Sequence, residues 1–144
     1  MPTPETIHAS AAALGGRGIL IRGTSGSGKS TLLAALIAGM PPARLVADDR
    51  VVLTVTAGGV FAAAPPALAG LLEIRGAGIV RLPYVIRVPV VLVVDLLPLA
   101  ACPRLPDEAQ GVAHIAGVSV RRMHLAEGVV DGAARIRAVL GGAR

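Results

Sequence analysis

The residues with the clearest chemical purpose are Gly23-Thr24-Ser25-Gly26-Ser27-Gly28-Lys29-Ser30, which fit G-x-x-x-x-G-K-[ST] in full. In such a run successive backbone N–H groups turn inward as an anion nest at the start of a helix, whose dipole adds positive potential. The spacing assigns Gly23 through Thr31 to nucleotide phosphates, with the Lys29 ammonium on the β and γ phosphates and the Ser30 hydroxyl on Mg2+. Lys29 is the only lysine in a chain with 14 lysines and arginines. An arginine-rich composition that keeps one lysine here fits the need for a slim ammonium between phosphate oxygens.

Phosphoryl chemistry also needs metal ligands and a base, and few residues qualify. Asp48 and Asp49 are adjacent, and neighbours on an extended chain point to opposite sides. One of them can face the metal while the other faces an incoming hydroxyl; the alternative is a solvated turn. Glu73, within Leu71-Leu72-Glu73-Ile74, stands in apolar surroundings that require either a metal or an ion pair, with Arg75 as the partner in the second case. His8 either orients a phosphate or carboxylate, or is an ordinary surface or core histidine. Asp95, after Val90-Val91-Leu92-Val93-Val94, resembles the strand-end acid of common phosphate-loop ATPases and competes with Asp48 and Asp49 as metal ligand. His114 and His124 have no ligand-like partners.

The elements that must hold these groups can be read from pattern. Ile7 to Ile21 contains two apolar stretches around Gly15-Gly16-Arg17-Gly18, a hairpin signal, and its second strand, Gly18 to Arg22, feeds the glycine loop. Thr31 to Gly39 carries Leu32, Leu33, Leu36 and Ile37 at helical spacing, closed by Gly39 and Pro41-Pro42. Arg44 to Ala47 reads as a buried strand ending at the two aspartates, and Val51 to Thr56 with Val60 to Ala63 as a hairpin around Gly58-Gly59. Ala64 to Gly70 is irregular or a short helical turn. Val85 to Val88 and Val90 to Leu96 are expected strands, as is a stretch near Val118 to Val120, before a helix from Val129 to Leu140 that ends at Gly141-Gly142. Many strands, including two hairpins, with only two helices predict an α/β fold with a central mixed sheet and few flanking helices.

At 144 residues the chain fits one domain, 1–144. Only 1% of residues are aromatic, Tyr84 and Phe61 being the single tyrosine and phenylalanine. That leaves little to stack on bases and argues against a nucleic-acid partner. The net charge of +5 comes from arginines scattered singly apart from Arg121-Arg122, a general composition rather than a basic patch. The single Cys102 forms neither an internal disulfide nor a cysteine metal site, which points to the cytoplasm. No apolar run approaches the ~20 residues that cross a bilayer, and Glu5 and His8 stand where a signal sequence would be apolar, so no membrane role is expected.

Four blocks taken together resemble the HPr kinase/phosphorylase family: Ile7-His8-Ala9-Ser10, the loop Gly23 to Ser30, Leu45-Val46-Ala47-Asp48-Asp49-Arg50-Val51, and Leu72-Glu73-Ile74-Arg75-Gly76-Ala77-Gly78-Ile79. The resemblance is strongest up to Pro83. It implies a phosphate-loop protein kinase that uses ATP and Mg2+ to phosphorylate a serine of the phosphocarrier HPr. It also implies that Asp49 is the proton acceptor, Lys29 the phosphate-binding lysine, Ser30 and Glu73 the Mg2+ ligands, and His8 the catalytic histidine. Arg104, in Pro103-Arg104-Leu105, is placed by the resemblance as the catalytic arginine. The chain is similar to the short form found in alphaproteobacteria, which lacks the N-terminal domain of longer members. Leu125-Ala126-Glu127-Gly128-Val129-Val130 stands where those members carry a loop serving dephosphorylation, so kinase activity is expected and phosphorylase activity is not assigned. A homo-oligomer is a further possibility from the long family. The competing readings are a small-metabolite kinase or nucleotide hydrolase using Asp95, and a non-catalytic, nucleotide-sensing HPr-binding protein.

Overall fold

The computed structural model describes residues 4–142. Its organising element is the long apolar strand that places Asp95 near its end. In chain order the strands are β1 (Glu5–Ile7), β2 (Ala9–Leu14), β3 (Arg17–Arg22), β4 (Arg44–Ala47), β5 (Val51–Thr56), β6 (Gly59–Ala63), β7 (Leu71–Ile74), β8 (Gly78–Arg81), β9 (Val88–Leu97), β10 (Val112–Ile115) and β11 (Val118–Ala126). Helix α1 spans Lys29–Ala38 and α2 spans Gly132–Gly141.

Nine strands form one mixed sheet in the order β1-β5-β6-β9-β3-β2-β4, with β11 and then β10 joined on at β9. β9 is central because its ten residues serve three neighbours: β6 antiparallel at Val88 and Pro89, β3 parallel, and β11 parallel. The expected hairpin is β2–β3, closed by Gly15 and Gly16 at φ 59° and 77°, a left-handed pair that suits the twist of the strands.

Alternation along the strands sends side chains to two cores. Ile19, Ile21, Leu92 and Val94 pack with Leu33 and Leu36 of α1 and Ile136 of α2. Leu20 and Val93 point the other way, into a core closed by Leu53, Val60 and Ala62 as the sheet curls on itself. α1 is apolar nearly all round because it is walled by β2, β3, β4, β7 and α2. The expected mixed α/β architecture with few helices is therefore observed.

Several boundaries differ from the pattern reading. α1 begins at Lys29 rather than Thr31, since Gly28, at φ 103°, already supplies the carbonyl that receives the Leu32 amide at 2.9 Å. α2 begins at Gly132 rather than Val129, because the Val129 amide is used in a turn to Ala126 and Asp131 takes the cap position. Val85 to Arg87 are not strand: their link to the sheet is a single bridge between Tyr84 and Leu45, closed by the Val85 amide on the Leu45 carbonyl at 2.8 Å, and Ile86 is exposed. β9 instead runs unbroken through Pro89, whose missing N–H falls next to a register shift in the β3–β9 ladder. The short strands β1, β7, β8 and β10 were not expected, and β7–β8 form a separate hairpin turned at Gly76, φ 88°.

Candidate active site

β3 ends at Arg22 and the chain enters the glycine loop at once. Gly23 has to be glycine for a steric reason, because a Cβ there would run into the Ser27 side chain. Gly26 and Gly28 adopt φ 82° and 103°, backbone that other residues avoid, and this path turns the loop amides toward a cleft. Lys29 is 6% exposed, and its Nζ donates to the carbonyls of Gly23 at 2.9 Å and Thr24 at 3.0 Å. Two of its three N–H donors are thus spent on holding the loop closed. Gly23 and Thr24 act as these acceptors and do not line the cleft itself, whereas Ser25, Gly26, Gly28, Ser30 and Thr31 do.

Opposite the loop, β4 ends at Ala47 and is followed by Asp48, whose carboxylate ties four elements together. Its Oδ1 accepts from Ser30 Oγ at 2.7 Å and from Ser10 Oγ at 2.9 Å, and its Oδ2 accepts from the Glu73 amide at 3.2 Å. Asp49 sits at φ 70° in a three-residue turn closed by the Arg50 amide on the Asp48 carbonyl at 2.8 Å. This γ-turn is the rarer, strained kind, which only a tightly determined site maintains. The turn sends Asp49 away from Asp48 and toward His8, whose Nε2 lies 2.7 Å from Asp49 Oδ1. The two aspartates face different partners, and it is this turn, not the alternation of an extended chain, that separates them.

Ser10 was missed by the sequence reading as a site residue. It is fully buried, donates to Asp48 and accepts the Asp49 amide at 3.2 Å, so one hydroxyl sets both acids. The signal that could have found it is its place in Ile7-His8-Ala9-Ser10, two residues after His8 on an otherwise alanine-rich strand.

His8, Lys29, Ser30, Asp48, Asp49 and Glu73 all line one cleft of about 600 Å3. Arg75 lines it too and forms no ion pair with Glu73 among the described residues, so the internal Glu73–Arg75 pair does not form. Arg104 is not brought there: it lies exposed on the segment after β9, among residues 98–111. The separation follows from its place beyond the end of β9, where the chain leaves the sheet.

Asp95 is tied up elsewhere. Arg22 donates through Nε to Oδ1 and through a terminal nitrogen to Oδ2, both at 2.8 Å, and Arg122 Nε donates to Oδ2 at 2.6 Å. Burial pushes the Asp95 carboxyl up, but the hydrogen bond and charge of Arg22 and the charge of Arg122 outweigh it and hold the acid below the ordinary carboxylate range. A carboxylate held by two guanidiniums is a poor rival to Asp48 as a metal ligand.

The donors in the cleft suit Mg2+, a hard cation that takes oxygens and keeps several waters alongside phosphate oxygens. A serine hydroxyl that donates to Asp48 still has lone pairs to offer a cation. Among the described residues no three His, Cys, Asp or Glu side chains cluster as a ready-made cage, and a site completed by phosphates does not need one. No helix among them is long and apolar enough to cross a membrane.

Comparison with known proteins gives a consistent result. The chain is similar to the HPr kinase/phosphorylase of Brevibacillus brevis, 46% identical over 78 residues that make up 54% of this chain and 24% of that protein. It is similar to the corresponding protein of Clostridium tetani, 42% identical over 81 residues, 56% of this chain and 26% of the relative. The chain therefore spans about a quarter of the length of these curated relatives. The solved structure of the HPr(Ser) kinase/phosphatase from Coxiella burnetii superposes with a TM-score of 0.80 at 25% identity, covering 95% of this chain and 88% of that one. A model of the family described as HPr serine kinase C-terminal domain matches residues 1–95, which include the loop, both aspartates, His8 and Glu73, and the chain belongs to that family.

Proposed function

We propose that the chain is an ATP- and Mg2+-dependent protein kinase that phosphorylates a serine of the phosphocarrier HPr. The observation that carries this reading is the division of labour between the two aspartates: Asp48 bonded to Ser30 of the phosphate loop, Asp49 turned aside onto His8.

The amides of Gly26 to Ser30 bind the phosphates, and Lys29 moves part of its bonding from the loop carbonyls to phosphate oxygens. Ser30, Asp48 and Glu73 hold Mg2+, which when bound neutralises charge on the phosphate oxygens. Asp49 receives the proton of the serine hydroxyl. His8 orients the Asp49 carboxylate and lies beside the transferring charge. Arg75, at the cleft, is better placed than Arg104 to contribute positive charge there.

Incubating the protein with γ-labelled ATP, Mg2+ and purified HPr tests this directly. Label on an HPr serine is expected, and label released only as free phosphate would favour nucleotide hydrolysis. Binding of ATP or HPr without any transfer would favour a sensor.

A further inference from the structure

We propose that the Ser27 side chain is a stand-in donor inside the glycine loop: when Lys29 turns to phosphate, the Ser27 hydroxyl takes over the Gly23 carbonyl that the lysine releases. Ser27 touches no substrate in this role and acts as a positioning residue. The movement of Lys29 rests on the phosphate-loop reading, whereas the pairing of Ser27 with Gly23 can be tested apart from it.

Ser27 is 4% exposed, and its Oγ makes no hydrogen bond among the described residues. A buried donor left unused is destabilising, so folded proteins rarely keep one without a reason. Ser10 and Ser30 each donate to Asp48, but Ser27 has no such acceptor. It lies against Gly23, where an added Cβ would collide with its Oγ and come within 3.2 Å of Leu96. Glycine at this position therefore leaves the hydroxyl in contact with the first residue of the loop, and Leu96, the other side chain at that spot, offers it nothing polar.

Donor counting shows when that hydroxyl is needed. A lysine ammonium carries three N–H donors. Two of them hold the carbonyls of Gly23 and Thr24 at 2.9 and 3.0 Å, so contact with both the β and γ phosphates requires the release of one carbonyl. The two carbonyls are not equivalent. That of Thr24 also accepts the Ser27 amide at 3.0 Å and keeps a partner whichever way Lys29 turns. That of Gly23 has no second donor among the described residues. Ser27 has a single side-chain torsion, and turning it re-aims the hydroxyl without moving the backbone. With Lys29 on its carbonyls the hydroxyl is unpaired; with Lys29 on phosphate the hydroxyl and the Gly23 carbonyl pair with each other, and neither is left alone.

A double-mutant cycle on Ser27→Ala and Lys29→Met, read as melting temperature with no ligand added, tests the pairing. In the parent background Ser27→Ala removes an unpaired hydroxyl and should melt no lower than the unsubstituted protein. In Lys29→Met, which keeps much of the side-chain length but none of its donors, the hydroxyl already holds the Gly23 carbonyl, so Ser27→Ala should lower the melting temperature by about 3 °C or more. Calorimetric titration of the parent and Ser27→Ala with Mg2+ and inorganic tripolyphosphate gives the second readout. Affinity should fall about threefold to tenfold in Ser27→Ala, the effect of one carbonyl left without its donor. An equal shift in melting temperature in both backgrounds, or tripolyphosphate affinity unchanged by Ser27→Ala, overturns the proposal. The titration decides alone if Lys29→Met does not fold. Failure of the unsubstituted protein to bind tripolyphosphate removes the phosphate-loop reading, and the melting cycle then still decides whether Ser27 can hold Gly23.

Discussion

Ser30 Oγ donates to Asp48 Oδ1 at 2.7 Å, joining the end of the phosphate loop to the end of β4 before any ligand arrives. Because Asp48 also accepts from Ser10 and from the Glu73 amide, the loop, the hairpin β7–β8 and the strand β2 are set relative to one another by a single carboxylate. Such preorganisation reduces the rearrangement needed at the moment of transfer.

Ser10 is expected to act through both aspartates without touching substrate. Ser10→Ala leaves the Asp49 amide without its acceptor and Asp48 with one donor fewer, in a fully buried position. A stability loss of about 1–3 kcal/mol is expected in urea unfolding. In steady-state assays kcat should fall more than the KM for ATP rises, and Ser10→Thr, which keeps the hydroxyl, should recover part of the loss. Equal effects of alanine and threonine would contradict a positioning role for the hydroxyl.

Asp49 occupies positive-φ backbone, 70°, at the centre of its γ-turn. Asn tolerates that region nearly as well as Asp, whereas a β-branched residue does not. Asp49→Asn should therefore unfold within about 0.5 kcal/mol of the parent, while Asp49→Val should lose about 1–2 kcal/mol. Thermal and urea melts of the two variants check this, and equal stabilities would place Asp49 in ordinary backbone.

The acid limb of stability should have two separable parts. The folded Asp95 carboxyl lies below its unfolded value, so its contribution is complete above about pH 3.9 and fades as pH falls through the folded value. His124, beside Asp95 in the β9–β11 register, is held below the ordinary histidine range by burial first and then by the charge of Arg122, with Asp95 pulling the other way. The unfolded chain thus takes up that proton first, and stability should begin to decline below about pH 6.5. In His124→Gln the decline starting near about pH 6.5 should vanish while the one in the carboxylate range persists. Melts across pH that superpose for parent and variant would contradict it.

The parts of the site that were legible in the sequence are those fixed by covalent spacing. The glycine loop, its strand and helix, and the opposed directions of Asp48 and Asp49 follow from local backbone geometry, and the structure places them together. What sequence could not give depends on strand register. Arg22 and Arg122 reach Asp95 from 73 and 27 residues away, and nothing local marks Asp95 as paired rather than metal-bound. Ser10 meets Asp48 across 38 residues for the same reason. β8 and β10, four residues each, are too short for a period to emerge, and the glycines of β7–β8 hid a hairpin that delivers Glu73 and Arg75 to the cleft.

The central claim is that Asp49 takes the proton of a protein serine while Asp48 serves the metal side. Single-turnover transfer from γ-labelled ATP to HPr, measured for the parent and for Asp49→Asn with ATP binding followed in parallel, tests it most directly. The account predicts phosphoserine on HPr with the parent, a fall of about 10²-fold or more in the transfer rate for Asp49→Asn, and nearly unchanged ATP affinity. Transfer to HPr at the parental rate by Asp49→Asn would contradict it.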